Sequence, residues 1–410
     1  MFDVAIVGGG PVGACLGALL AQRAEGSPPL SVALLEPKPP APIAPQSPPD
    51  ARVVALSRAS ERLLNAARAW ERIRGARLSP YQRMRIWHES VAPGSAAVLT
   101  FDAADVGEPN LGYIVENRLL QLALLEAFTE AGGQLERAVF TALEIGDDDV
   151  NFTTSRGKLS ARLIVGADGA ESRVREAAGL TAIHSAYEQT AIIANVVTAK
   201  PHAATAWQRF MRDGTLAFLP LADGTSSIVW SADDERARTL LAAGTSEFSA
   251  ALDQASDLAL GATRLVTERQ SFPLRRLVAP RYVAQRVALV GDAAHVVHPL
   301  AGQGANLGLL DAAALAELVR SAVARREDPG ALAVLRAYER WRKSERAAMS
   351  TAIDVFDRLL AHGRGPVARI AQQGLGWVNR SQELRRFFIR RALGTSGELP
   401  ASARARPQIS

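Results

Sequence analysis

One cysteine, Cys15, occurs in 410 residues. No internal disulfide can form, which suits a reducing compartment, and Cys15 is expected to be a small buried residue on the first helix. No run of 18 uncharged apolar residues exists, so nothing here reads as a membrane span. No basic leader precedes the first glycine cluster, so no secretory signal is expected. Surplus charge is small: 47 basic against 42 acidic residues leave +5, too dilute for a nucleic-acid binder. Lysine is scarce, with four (38, 158, 200 and 343) among those 47. There is no Ser/His/Asp or Cys/His constellation for nucleophilic catalysis and no repeat of fixed period. With 48% apolar and 22% charged residues, the composition is that of an ordinary globular chain. The length allows two or three domains around a large core. These absences leave a cytoplasmic, medium-sized enzyme or binding protein.

What the chain does have is a set of buried strands that run into glycine. Asp3–Gly8 reads as a strand ending at Gly8-Gly9-Gly10-Pro11-Val12-Gly13, and Ala14–Arg23 carries a helical pattern. Ser31–Glu36 reads as a second strand. Pro37–Pro49 holds seven of the 22 prolines, which forces an extended loop. Amphipathic helices are expected over Ala59–Arg74 and Arg118–Ala131. Arg162–Gly166 and Arg286–Gly291 are further strands, each entering a glycine/aspartate turn. Between them, over 186–273, β-branched runs alternate at Thr190–Thr198, Thr215–Leu221 and Ser226–Ser231, with Asp-Gly turns at 213–214 and 223–224. That pattern predicts an antiparallel sheet with one exposed face. Leu307–Arg346 reads as helix, further helices fill 347–393, and the last dozen or so residues read as frayed.

The first turn has the spacing Gly-x-Gly-x-x-Gly at 8, 10 and 13. Gly8 permits the tight turn, Gly10 lets backbone amides approach a pyrophosphate, and Gly13 allows close helix packing. The helix start then offers its positive end to the phosphates. Glu36 closes the second strand 23 residues after Gly13, where a carboxylate accepts from ribose hydroxyls and disfavours a 2′-phosphate. A glycine turn alone is compatible with no ligand; strand, turn, helix, second strand and acid in order favour a dinucleotide. A nicotinamide dehydrogenase would need nothing more, yet two further turns lie downstream. One is Gly166-Ala-Asp168-Gly169 leading through Ser172 and Arg173 to Arg175. The other is Gly291-Asp292-Ala-Ala-His295, leading through Asn306 and Gly308 to Asp311. Each follows a strand, opens a helix and sets a carboxylate where a ribityl hydroxyl could lie. The helix start framed by Gly302 and Gly304 would stabilise an anionic flavin ring.

On these residues, with Arg52–Ser57, Ser60, Tyr113–Arg118, Trp207–Phe210, Leu216–Leu221 and Phe272–Leu274, the sequence resembles a known family. It is similar to the group A flavoprotein monooxygenases of the para-hydroxybenzoate hydroxylase fold, and within them to the hydroxylases of ubiquinone biosynthesis. The Gly291–Asp311 block is the most specific part; the Pro37–Pro49 loop departs from the family pattern. The resemblance implies an α/β fold: a Rossmann-like FAD-binding domain, an inserted antiparallel β-sheet substrate domain and C-terminal helices. Residues 1–75, 105–185 and 274–345 would bind FAD, and 76–104 with 186–273 would hold substrate. Residues 346–394 would form closing helices and 395–410 a flexible tail.

The resemblance further implies that Gly8, Gly10, Gly13 and Glu36 hold the adenosine half of FAD, with Arg52 and Arg118 along it. Asp168 and Gly169 would serve both FAD and a nicotinamide, Asp292 the ribityl chain, and Pro299, Gly302, Gly304 and Asn306 the edge of the isoalloxazine. The implied chemistry is a flavin hydroperoxide that delivers its distal oxygen to an electron-rich, polyprenylated phenol. Dioxygen is then a co-substrate, electrons come from NAD(P)H or a separate reductase, and no catalytic side chain is assigned. A non-catalytic flavin-binding assembly protein and a hydroxylase of small phenols stay open as alternatives. A flavin halogenase would need a Trp-x-Trp-x-Ile-Pro motif, which is absent.

His295 and His298 are spaced for packing and hydrogen bonding beneath the flavin, ahead of proton relay or metal ligation, and no metal is expected. Trp207, Phe210, Phe218 and Trp230 fall on the sheet, with core roles preferred over substrate contact. Ser381–Leu393 sets Leu384, Phe387, Phe388 and Leu393 on one stripe, with Arg385, Arg386, Arg390 and Arg391 largely opposite. Such a helix either lies on an anionic surface or a partner, or packs on its own domain. The isoprenoid tails of the family's substrates would suit a peripheral position at the inner membrane.

Overall fold

Val4, Ala5, Ile6 and Val7 are all buried, as a short apolar run must be to sit in the middle of a parallel sheet. In the computed structural model their strand, Phe2–Val7, lies between Val32–Leu35 and Gly157–Gly166. The structure describes residues 1–23, 28–44, 46–296, 303–360, 381–394 and 397–405, without the side chains of 303, 348–360, 384 and 392. Gln134–Glu136 and Val287–Leu289 extend the parallel set on either side. An antiparallel meander, Phe140–Ile145 and Val150–Thr154, pairs with the first half of Gly157–Gly166. Parallel strands need long crossovers, and helices cover the sheet: Pro11–Ala21 packs on both Asn117–Glu130 and Gln303–Ala324. Cys15 is fully buried on the first of these, and burial pushes its thiol far above the ordinary range.

Among the described residues the second sheet has nine strands. Its spine, Ile183–Thr198, is flanked by Ser226–Asp233 and Gln270–Val278. Gly214–Pro220, Thr205–Met211, Arg83–His88 and Leu99–Asp102 continue it outward. All these pairings are antiparallel except Thr205–Met211 with Arg83–His88. The chain from 83 to 102 thus joins a sheet built mainly by 183–278. A three-stranded sheet of Val53–Leu56, Gly112–Glu116 and Ser79–Tyr81 joins the two large ones. Leu56, Tyr113 and Val115 pack into the first core, and Ala55 and Ile114 pack against Leu219 and Leu221 of the second sheet.

Several sequence expectations need correction. The second sheet does not present the expected solvent face. Ile192, Leu216, Phe218, Ile228 and Trp230 pack under the helices Asp234–Ala242 and Thr245–Ser256, and the opposite face looks into a cavity. Alternation separates a dry face from a more polar one, and ligand-facing side chains share that second pattern with solvent-facing ones. The single helix expected over Ala59–Arg74 is two, Arg58–Ala66 and Trp70–Arg74. Arg68 takes φ 58° and its amide closes onto Asn65 O, turning the chain so that Trp70 and Ile73 reach the core. The long helical run from 307 is likewise divided, into Gln303–Ala324 and Leu332–Leu360.

Residues 397–405 are not a free tail. Ala401–Ala403 form a turn of 3-10 helix with Ala403 fully buried, the Ala401 amide donates to Glu317, and Trp341 Nε1 donates to Glu398 O. Apolar Leu399 and Ala403 give this segment a reason to pack on the core; residues 395–396 and 406–410 lie outside the described residues. The C-terminal helix, Gln382–Ala392, docks on its own domain. Ile389 and Leu393 are buried with Ile86, Leu99, Phe101 and Phe210. Arg386 Nε donates to Asp105 O at 2.8 Å, and Arg385 pairs with the Asp105 carboxylate at 3.3 Å. Phe387 on the same helix is left 60% exposed. Among the described residues no helix is long and apolar enough to cross a membrane.

Candidate cofactor and active site

The strand Phe2–Val7 delivers the chain to a turn that tolerates glycine alone at two places. Gly8 has φ 105°, and a Cβ there would lie 2.4 Å from Ala167 O; one on Gly13 would lie 2.0 Å from Gly8 O. At Gly10 a Cβ would meet nothing within 4 Å. This open cradle lies at the start of Pro11–Ala21, where a helix presents unpaired amides and a positive end. Glu36 sits beside the turn: Oε2 accepts from the Gly9 amide and Oε1 from the Lys38 amide, both at 3.0 Å. Each oxygen retains a lone pair for a ribose hydroxyl.

The second turn, at 167–169, brings Gly169 to the cavity but turns Asp168 inward. Asp168 Oδ1 accepts from the Ser172 hydroxyl, and Oδ2 from the Arg173 and Val174 amides at 2.8 and 3.2 Å. The carboxylate thereby caps the short helix Arg173–Ala177. Buried Arg175 ties this turn to the third, donating to Ala170 O (2.8 Å) and Ala293 O (3.0 Å). In the third turn Asp292 opens onto the cavity, crowded by protein on its other sides. Burial pushes its carboxyl upward, while His295 and Arg52 draw it back and Asp311 adds to the rise.

Beneath that third turn lies a buried cluster. Asp311 Oδ2 accepts from the Gly291 amide at 3.1 Å and from His295 Nε2 at 2.7 Å, and Oδ1 accepts from Arg342 Nε at 2.7 Å. A carboxylate only accepts, so His295 presents an N–H at Nε2. The packing role expected of His295 is what its burial and partner support. Among the described residues no three of His, Cys, Asp or Glu converge as a metal site.

The three turns form one wall of a cavity of about 480 Å³. The opposite wall is the free face of the second sheet, contributed by Ile193, Ala206, Gln208, Ala217, Leu219 and Val229 with Thr215 and Ser231. Tyr81, Met84 and Ile114 close one side and Phe272–Arg275 another. Hydrogen bonds from the sheet hold the segment before Arg52 in place: Asn195 Nδ2 donates to Pro49 O (2.7 Å) and Ser227 Oγ to Ala51 O (3.1 Å). Arg52 follows directly and projects into the cavity.

Residues 1–351 match the FAD binding domain family. The chain belongs to that family. It is 38% identical over 396 residues to the ubiquinone hydroxylase UbiL of Rhodospirillum rubrum, covering 96% of this chain and 90% of that protein. It is 35% identical over 396 residues to 3-demethoxyubiquinol 3-hydroxylase of Escherichia coli, covering 96% and 98%. The solved structure of p-nitrophenol 4-monooxygenase PnpA from Pseudomonas putida shares the fold, with TM-score 0.75 at 20% identity over 97% of this chain and 99% of that one. The protein is therefore an FAD-dependent monooxygenase of the hydroxylase type, and both the family and the para-hydroxybenzoate hydroxylase-like fold expected from the sequence hold.

In this flavoprotein hydroxylase the sequence-predicted site residues separate by position. Gly10, Arg52, Gly169, Asp292 and Gly304 line the cavity. Gly8 and Gly13 shape the turn from behind, and Glu36 flanks it. Asn306 also works from behind: Oδ1 accepts from the Ser57 amide (3.0 Å) and Ser60 Oγ (2.7 Å), and Nδ2 donates to Ala55 O (2.8 Å). Its amide is committed to the protein. Arg118 is held by Asp50 through two contacts at 2.9 and 3.0 Å. Pro299 and Gly302, with His298, lie outside the described residues. Sequence reasoning missed Asp50 and Arg342, and gave Arg175 and Asp311 no role although each closes one of the downstream motifs. It also missed Gln121, whose Nε2 donates to Gly9 O at 2.8 Å. Arg342 and Gln121 carry no local signal; only the fold brings them to the site.

Proposed function

We propose that this protein hydroxylates a polyprenylated phenol on the route to ubiquinone, with NAD(P)H as electron donor. The observation that carries the reading is the cavity itself, which sets a dinucleotide wall against a largely apolar sheet face. The ubiquinone-related names of two relatives support the substrate class. When bound, FAD supplies the redox chemistry that transfers one oxygen atom of dioxygen to the ring while the other leaves as water. The residues of the chain bind and orient. The Gly8–Gly13 turn and the helix start would hold the pyrophosphate and Glu36 the ribose. Arg52 would lie along the cofactor, Asp292 would reach its ribityl chain, and the helix that begins at Gln303 would offer its positive end to the ring. Ile193, Ala217, Leu219, Val229, Met84 and Ile114 exclude water from the reacting carbon. No lining side chain needs to act as a nucleophile.

On this reading residues 1–75, 105–185 and 274–345 serve the cofactor, and 76–104 with 186–273 the substrate. Phe387, exposed between Arg386 and Arg390, supports a peripheral contact with an anionic membrane surface. The test of function is the quinone profile of a deletion strain. An accumulated intermediate lacking one ring hydroxyl is expected, and its structure names the carbon attacked. A normal ubiquinone profile would sink the assignment.

A further inference from the structure

The register of the second sheet orders its cavity face into rows. One row runs Gln208, Ala217, Val229, Ile193 across four strands; the next runs Thr215, Ser231, Ala191, Phe272. Three of these side chains are polar and they are neighbours. Thr215 stands directly opposite Ser231, and Gln208 is diagonal to Thr215 on the adjoining strand, a spacing within reach of side-chain contact. Gln208 is 5% exposed and Ser231 1%, and all three line the cavity. Among the described residues none of the three side chains has a hydrogen-bond partner. Their polar atoms open on the cavity, so a ligand oxygen placed there can take hydrogen bonds that water would otherwise make.

We propose that Gln208, Thr215 and Ser231 form the strip that recognises oxygen substituents on the substrate ring. The proposal rests on the function proposed above. Hydroxyl and carboxamide groups both donate and accept, which matches a phenolic hydroxyl or a methoxy oxygen. The strip itself holds no cation, the cavity's Arg52 and Arg275 lying on other walls, so its own chemistry suits neutral ring oxygens. Around it Ile193, Ala217, Leu219 and Val229 offer dispersion contact, which has no preference for rotation of the ring in its own plane. Directional bonds from the strip set that rotation, and with it the carbon presented for attack.

The test uses the FAD-loaded protein, 2-geranylphenol and geranylbenzene, which differ by the ring oxygen, with binding followed by calorimetry. Gln208→Leu, Thr215→Val and Ser231→Ala keep size while removing hydrogen bonds. Each substitution at a bonded position should weaken geranylphenol by about three- to tenfold and leave geranylbenzene unchanged. Unchanged geranylphenol affinity in all three variants would overturn the strip, as would equal weakening of both ligands, which marks a packing defect. Strip-dependent preference for the phenol in a protein that makes no hydroxylated product would support the recognition role and refute the proposed reaction.

Discussion

Asp311→Asn removes one negative charge from the point where three donors converge under the cofactor wall. The Gly291 amide, His295 Nε2 and Arg342 Nε all donate to this carboxylate, and Asp311 and Arg342 are 0% and 2% exposed. Burial alone would raise the Asp311 carboxyl, but His295 and Arg342 outweigh it and hold it below the usual carboxylate range. Asparagine keeps the shape and one acceptor oxygen, yet turns an NH2 group toward a donor and leaves Arg342 as a buried cation without its counter-charge. Removing one partner of a buried pair costs about 3–5 kcal/mol. The urea unfolding midpoint of the apo-protein should fall accordingly, and the purified variant should retain less FAD because the Gly291–Asp292 turn has lost its anchor.

The pH dependence has a definite sign. A carboxyl whose folded pKa is depressed contributes stability above its unfolded value near ~4, lost as pH falls through the lower folded value. Wild-type protein should therefore lose this contribution in acid below about pH 4, and the variant should show a flatter profile there. Asp311→Asn combined with Arg342→Met should recover much of the loss, because the second change removes the stranded charge. If the single variant unfolds within about 1 kcal/mol of wild type and keeps its full complement of FAD, the reasoning is wrong.

Two further substitutions separate packing from ligand contact at the first turn. Gly13→Ala places a Cβ 2.0 Å from Gly8 O and should lower both FAD content and the melting temperature of the apo-protein, whereas Gly10→Val meets no protein atom near its Cβ and should lower FAD content alone. Flavin-to-protein ratios and apo-protein melts decide; equal losses of melting temperature would contradict the assignment of Gly10 to the ligand. At the other end of the chain, Phe387→Ser should reduce co-sedimentation with anionic vesicles while leaving the fold intact, since Phe387 is largely exposed. Unchanged partitioning would remove the membrane contact.

The parts of the site that were legible in the sequence are those whose cause is local. Gly8, Gly10 and Gly13 are spaced by the needs of one turn, and the strands that feed all three turns are short apolar runs with glycine at the end. What the sequence could not reveal is which polar groups the protein keeps for itself. Asp168 stands in a motif that reads as a ligand, yet caps the helix five residues on. Arg118 meets Asp50 from 68 residues away, and Asn306 meets Ser57 across 249. Such pairings exist only after folding. The break at Arg68 was hidden for a different reason: no glycine marks its left-handed turn, which the burial of Trp70 and Ile73 stabilises. For the second sheet, alternation told two faces apart but could not tell water from a ligand.

The order of strands in the first sheet also has a meaning in time. Phe2–Val7 and its glycine turn are made first and the neighbouring Val32–Leu35 soon after, but the other side of the sheet arrives late: Gly157–Gly166, then Val287–Leu289 beside it, then the helix that carries Asp311. The whole second sheet is synthesised in between. A chain growing from its N-terminus therefore carries half a cofactor site for most of its synthesis. Both sides can grip a dinucleotide only once Gly291 has found Asp311 and Asp311 has found Arg342. Because a ligand that binds only the folded state stabilises it by mass action, capture of FAD acts as a completeness check on the finished chain.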